Sequence, residues 1–171
     1  MYLPGMQGVA PGSLIEKTVL IQARPGVIYQ ALTEARDLAH WFCDRASSEP
    51  RVGGELRALW KTGKEGQKGR ALFTRMIPEE LVELRWIDDG QGTLPEEKAC
   101  HTLSYTIRSG RGTTTEVVMR DSDQPMEDLE AFERLSTGWN GVLLELKDYC
   151  ERKERSAKRR FNAAPTGLPT V

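Results

Sequence analysis

The feature that most constrains the fold lies late in the chain. Between Glu127 and about Lys153, the apolar residues Leu129, Phe132, Leu135, Trp139, Val142, Leu143, Leu146, Tyr149 and Cys150 keep helical spacing. At 1.5 Å per residue this predicts one amphipathic helix of roughly 40 Å, long enough to cross a whole sheet. Glu127, Asp128 and Glu130 near its start, and Arg152 and Lys153 at its end, suit the helix dipole. A helix with one apolar stripe must bury that stripe against another layer, and the rest of the chain supplies strands for it.

Upstream, Leu14–Ala23 reads as a strand rich in β-branched residues and stops at Arg24-Pro25-Gly26. Pro25 suits the first turn of a helix, and Ile28, Ala31, Leu32 and Ala35 follow at helical spacing. Asp37 reads as the N-cap of a second short helix with Leu38, Trp41 and Phe42 on one face. After Gly53-Gly54 the period changes from 3.6 to two. Glu55–Lys61, Gln67–Ile77, Leu81–Ile87, Lys98–Arg108 and Thr113–Arg120 then read as strands joined by short turns, hence an antiparallel meander. The Thr62–Gly66 segment reads as a hairpin turn; it lacks the spacing and Lys-Ser/Thr ending of a phosphate-binding loop. The order β-α-α-β-β-β-β-β-α predicts an α+β fold in which a curved antiparallel sheet wraps around the long C-terminal helix. The two short helices plug one open end. The space between helix and sheet is then the first place to look for function.

Residues 1–13 read as a flexible leader, 14–153 as a single domain, and 154–171 as a basic, disordered tail. Among 171 residues, 24 basic side chains face 25 acidic ones, a net charge of −1 that argues against a nucleic-acid partner. The balance is uneven: residues 151–171 carry a surplus of four positive charges, so the body of the chain is mildly acidic. Cys43, Cys100 and Cys150 are odd in number and form no CxxC pair, which favours a reducing, cytoplasmic setting. Met1–Gly12 has neither the charged nor the apolar region of a signal peptide, and no apolar run is long enough to span a membrane.

Trp41, Phe42, Trp60, Trp86, Tyr105, Trp139 and Leu143 are the candidate ligand-binding walls, because flat apolar side chains from helix and sheet would converge there. The competing reading is that they fill the core. Gly138 and Gly141 cost the long helix about 1 kcal/mol each relative to Ala, which points to close packing of helix on sheet, or to room for a ligand. His40 with Cys43, and Cys100 with His101, fall short of a zinc set, and neither metal nor cofactor is expected. Neither a GxSxG motif nor a His beside a Ser or Cys nucleophile occurs, so no catalytic residue is assigned. Arg75, Thr102, Ser104 and Glu116 read as facing solvent.

Five stretches carry a resemblance: ARPGVIYQALTEARDLAHWF (23–42), VGGEL (52–56), a proline followed by LVELRW (78 and 81–86), TIRSGRGTTTEVVMR (106–120) and GWNGVLLELKDY (138–149). In this order they resemble the SRPBCC (START-like, Bet v 1-like) superfamily, in the branch named after the activator of the Hsp90 ATPase. The resemblance implies a helix-grip fold. The superfamily serves lipid carriers, aromatic-polyketide cyclases, hormone receptors and co-chaperone domains. The grip and its candidate walls predict a non-catalytic protein holding a small hydrophobic or aromatic ligand, with a chaperone-related or stress-response interaction module as one alternative. A cyclase or hydrolase acting on an aromatic substrate is the other. A monomer or a homodimer fits equally.

Overall fold

The computed structural model describes residues 14–61, 66–88, 101–122 and 129–163. The elements are β1 (Leu14–Ile21), α1 (Pro25–Thr33), α2 (Ala35–Trp41), β2 (Arg45–Ser48), β3 (Glu55–Trp60), β4 (Gln67–Ile77), β5 (Leu81–Asp88), β6 (His101–Ser109), β7 (Thr115–Ser122) and α3 (Leu129–Ala163). The strands join in one curved antiparallel sheet in the order β1-β7-β6-β5-β4-β3-β2. Sequence neighbours pair as a meander from β2 to β7, and β1 then docks on β7 with Val19 opposite Val117.

Alternation decides the two faces. Leu56 and Ala58, Ala71 and Phe73, Val82 and Leu84, Leu103 and Tyr105, and Val117 and Met119 are all buried on the concave side. The convex side is polar and laced with ion pairs. Arg120 Nε meets Glu16 at 2.6 Å, Arg108 meets Glu116 at 3.6 Å, and Arg75 meets Glu83 at 3.7 Å. Arg75 and Glu116 thus face outward, and the register puts Thr102 and Ser104 on the same side, opposite Arg85 and Glu83. Helix α3 lays Trp139, Leu143, Leu146 and Cys150 into the core, a spacing of four, three and four that keeps one stripe facing the sheet. Burial pushes the Cys150 thiol up to about 12, as an apolar setting disfavours the thiolate. The α+β helix-grip expected from the sequence is the fold observed.

Four expectations need correction. Helix α3 does not stop near Lys153; it continues through the basic stretch to Ala163, 35 residues in all. What holds the extension is charge rather than apolar period. Glu154 is only 2% exposed and accepts Arg24 Nε at 3.0 and 3.2 Å. Beside it, Glu151 accepts the Gln22 N–H at 3.0 Å, and Lys147 donates to the Leu20 carbonyl at 2.6 Å. Residues 164–171, like the 1–13 leader, lie outside the described residues.

The second correction is an extra strand, β2. Its four residues, Arg-Ala-Ser-Ser, are too short and too polar to show alternation, and pairing with β3 alone makes them a strand. Third, Asp37 is not the N-cap of α2. Glu34 holds that place, and Asp37 sits inside the helix with its carboxylate turned to α3.

The fourth concerns Gly138 and Gly141. Both are exposed, and a Cβ built on either would meet no atom within 4 Å, so neither brings helix and sheet together nor makes room for a guest. They are simply weak helix formers on the solvent side. Converting both to alanine is therefore expected to stabilise the fold by about 1 kcal/mol per site. A chemical-denaturation midpoint that stays unchanged or falls in the double variant would contradict this placement.

Candidate functional site

The concave face, the two short helices and α3 meet in an aromatic cluster. α1 and α2 contribute Leu32, Leu38 and Trp41, with Phe42 capping α2; the sheet contributes Leu56, Leu84, Trp86, Leu103 and Tyr105. Between these side chains lies a chamber of about 10 Å³, room for about one water molecule. The grip is therefore nearly filled by its own aromatic rings.

Those rings form a continuous run. Trp41 and Phe42 lie 5.3 Å apart, and Phe42 meets Trp60 edge-on at 5.2 Å. Phe42 and Trp60 both approach Trp86, at 6.1 and 6.4 Å. Trp86 stacks on His101 at 6.3 Å with ring planes only 8° apart. These separations fall in the range where aromatic pairs attract beyond simple area burial. The outer indoles are held by hydrogen bonds: Trp41 Nε1–H donates to the Ala31 carbonyl at 2.8 Å and Trp60 Nε1–H to the Phe42 carbonyl at 2.6 Å. Gly69 on β4 makes the run possible, because a Cβ there would stand 2.7 Å from the Trp86 ring and 3.0 Å from the Trp60 ring.

At the inner end of the run stands a buried acid. Asp121, fully inaccessible on β7, meets His101 Nδ1 at 2.5 Å through one oxygen. Its other oxygen accepts Trp139 Nε1–H from α3 at 2.8 Å. A carboxylate taken out of water costs several kcal/mol unless its lone pairs are met, and here donors from a strand and a helix meet them. Burial, and next the charge of Asp121, push the Tyr105 phenol well above its ordinary range, so Tyr105 stays protonated. This polar pair thus adjoins the aromatic run behind Trp86, outside the lining of the chamber itself.

Of the seven expected wall residues, Trp41, Phe42, Trp86 and Tyr105 line the chamber itself. Trp60 sits one ring behind, against Phe42 and Trp86. Trp139 reaches the cluster through Asp121, and Leu143, one turn further along α3, belongs to the common core. Sequence reasoning missed the Asp121–His101 pair. A signal for it existed: Val117, Met119 and Asp121 alternate along β7, as do His101, Leu103, Tyr105 and Ile107 along β6, so period two puts both polar residues on the buried face. The other weighed residues are engaged elsewhere. His40 Nδ1 bonds to the Arg36 carbonyl at 2.7 Å, and Cys43 Sγ lies 3.1 Å from the Arg45 carbonyl. Cys100 falls outside the described residues.

Residues 22–151 match the family described as activator of Hsp90 ATPase homolog 1-like protein. The chain belongs to this family. Among solved structures, this activator-like chain is similar to the Aha1 dimer from Colwellia psychrerythraea, at 26% identity and a TM-score of 0.66, covering 81% of this chain and 96% of that one. It shares its fold with protein MLL2253 from Mesorhizobium loti, at 16% identity and a TM-score of 0.66, over 82% of this chain and 98% of that one. It shares it also with DynU16, a protein in the dynemicin biosynthetic locus, at 20% identity and a TM-score of 0.65; there 82% of this chain covers 48% of the other. No curated protein matches the chain. Among the described residues, no helix of this family member is long and apolar enough to cross a membrane.

Proposed function

We propose that this activator-like protein binds a small aromatic or hydrophobic ligand in the grip and does no covalent chemistry on it. The observation that supports this reading is the buried Asp121, bonded to His101 and Trp139 at the end of a run of aromatic rings. Small-molecule sites combine apolar walls with a few convergent polar groups, and the aromatic run with the adjoining Asp121–His101 pair offers both kinds of group. Trp41, Phe42 and Trp60 are only half-buried, so the ligand would enter by displacing them rather than by filling an existing void. Burial of the ligand's apolar surface would drive binding by about 25 cal/mol per Å², less the cost of ordering.

Titration with a flavonoid such as quercetin, read by tryptophan fluorescence, is expected to show saturable one-to-one quenching. Phe42→Ala is expected to weaken it at least tenfold, since Phe42 bridges three tryptophans. Quenching that never saturates, or that is the same in the variant, would overturn this site.

The nearly filled chamber favours a second reading, in which the folded surface serves a chaperone partner of the kind the family's name describes. An Hsp90 ATPase assay decides it. Stimulation at stoichiometric protein supports the co-chaperone reading, and none at tenfold excess rejects it.

A further inference from the structure

A second concave feature lies on the opposite side of α2 from the aromatic chamber. A groove of about 820 Å³ runs between the short helices and the C-terminal part of α3. Its buried acid, Asp37, is already engaged: Lys153 Nζ stands 2.8 Å from each carboxylate oxygen, and the Tyr149 hydroxyl donates to Oδ1. The other cations of the lining are in the reverse situation. Arg36, Arg152 and Arg160 are exposed and make no ion pair with any acid among the described residues. Arg36 is near enough to oppose the upward push that burial and Asp37 exert on the Tyr149 phenol. His40 stacks on Tyr149 with centroids 6.0 Å apart, and its Nδ1 bond to the Arg36 carbonyl leaves Nε2 unbonded. The groove carries four cationic side chains against two carboxylates, Glu34 and Asp37, in a chain whose net charge is −1.

A concave surface with an excess of one sign of charge focuses its field on whatever enters, and with Lys153 paired to Asp37 three arginines remain against Glu34. Guanidinium forks match the oxygens of a phosphate two at a time, which a lysine ammonium cannot do. The volume is that of a small-molecule site. We propose that this groove binds a small organic phosphate, with Arg36, Arg152 and Arg160 holding the phosphate oxygens and the His40–Tyr149 pair presenting a flat wall to the rest of the molecule. The site is separate from the aromatic chamber and stands or falls independently of it.

The convex patch around Arg45 and Lys68 provides a control. It is also basic, but two of its cations, Arg57 and Arg70, are already bonded to Glu55. Calorimetric titration of the full chain with inorganic pyrophosphate, at low ionic strength where screening is weak, is expected to show one saturable site. The Arg152→Ala/Arg160→Ala variant is expected to bind pyrophosphate at least tenfold more weakly, with its ligand-free melting temperature unchanged. Arg45→Ala/Lys68→Ala is expected to retain the affinity within twofold. Three results would overturn the assignment: no saturable heat with pyrophosphate, equal weakening in the control variant, or equal affinity for citrate, which carries charge without phosphate.

Discussion

Asp121→Ala is expected to lose about 3–5 kcal/mol of stability, the range found when one partner of a buried, bonded charge is removed. The loss has two sources. Trp139 Nε1–H and His101 Nδ1 lose the oxygens 2.8 and 2.5 Å away, and no other carboxylate among the described residues approaches either of them. The contact that pins the N-terminal third of α3 to β7 also disappears. Asp121→Asn, which keeps an acceptor for the indole, is expected to cost clearly less. Urea denaturation of the two variants beside the wild type measures both. A loss below 1 kcal/mol for the alanine variant would mean the node is incidental to the grip.

Trp86→Ala is the second large effect. Trp86 touches Phe42, Trp60 and His101 and is buried on β5, so its removal is expected to cost about 3–5 kcal/mol. It would also enlarge the chamber of about 10 Å³ by nearly the volume of an indole. Apolar voids of that kind stay dry and accept aromatic guests. Added indole at a hundred times its dissociation constant is expected to restore about 2.7 kcal/mol. The readout is the melting temperature with and without indole, in variant and wild type. A variant that is destabilised yet indifferent to indole would show that the cluster collapses around the gap, which counts against a ligand site built from these rings.

How far the sequence disclosed this depended on which force each element obeys. The stripe from Trp139 to Cys150 and the alternation along β3 to β7 were legible, because apolar periodicity records a burial that nearly every residue of the element shares. β2 left no such record, since Arg45–Ser48 is a strand only through its pairing with β3. The last ten residues of α3 escape a reading by periodicity for a similar reason. Their anchor is one acid, Glu154, bonded to an arginine 130 positions earlier, and no local pattern announces a partner so distant. The site divides along the same line. Aromatic residues proclaim their burial by type, which is why Trp41, Phe42, Trp86 and Tyr105 stood out. His101 and Asp121 are polar types that usually face water, and only their phase along two paired strands betrays them. Gly138 and Gly141 invited an explanation from packing, whereas the structure gives them open space.

The bonds linking α3 to the end of β1 and the residues just after it bear on how the chain comes off a ribosome. Lys147 to Leu20, Glu151 to Gln22 and Glu154 to Arg24 each join positions about 130 residues apart. The sheet cannot close until β7 has been synthesised to pair with β1, and its greasy hollow has no cover until the final helix emerges. For the interval between those events the nascent domain displays an unprotected apolar trough, the condition under which newborn chains aggregate or recruit holding factors. A ribosome stalled before Trp139 would leave that trough open.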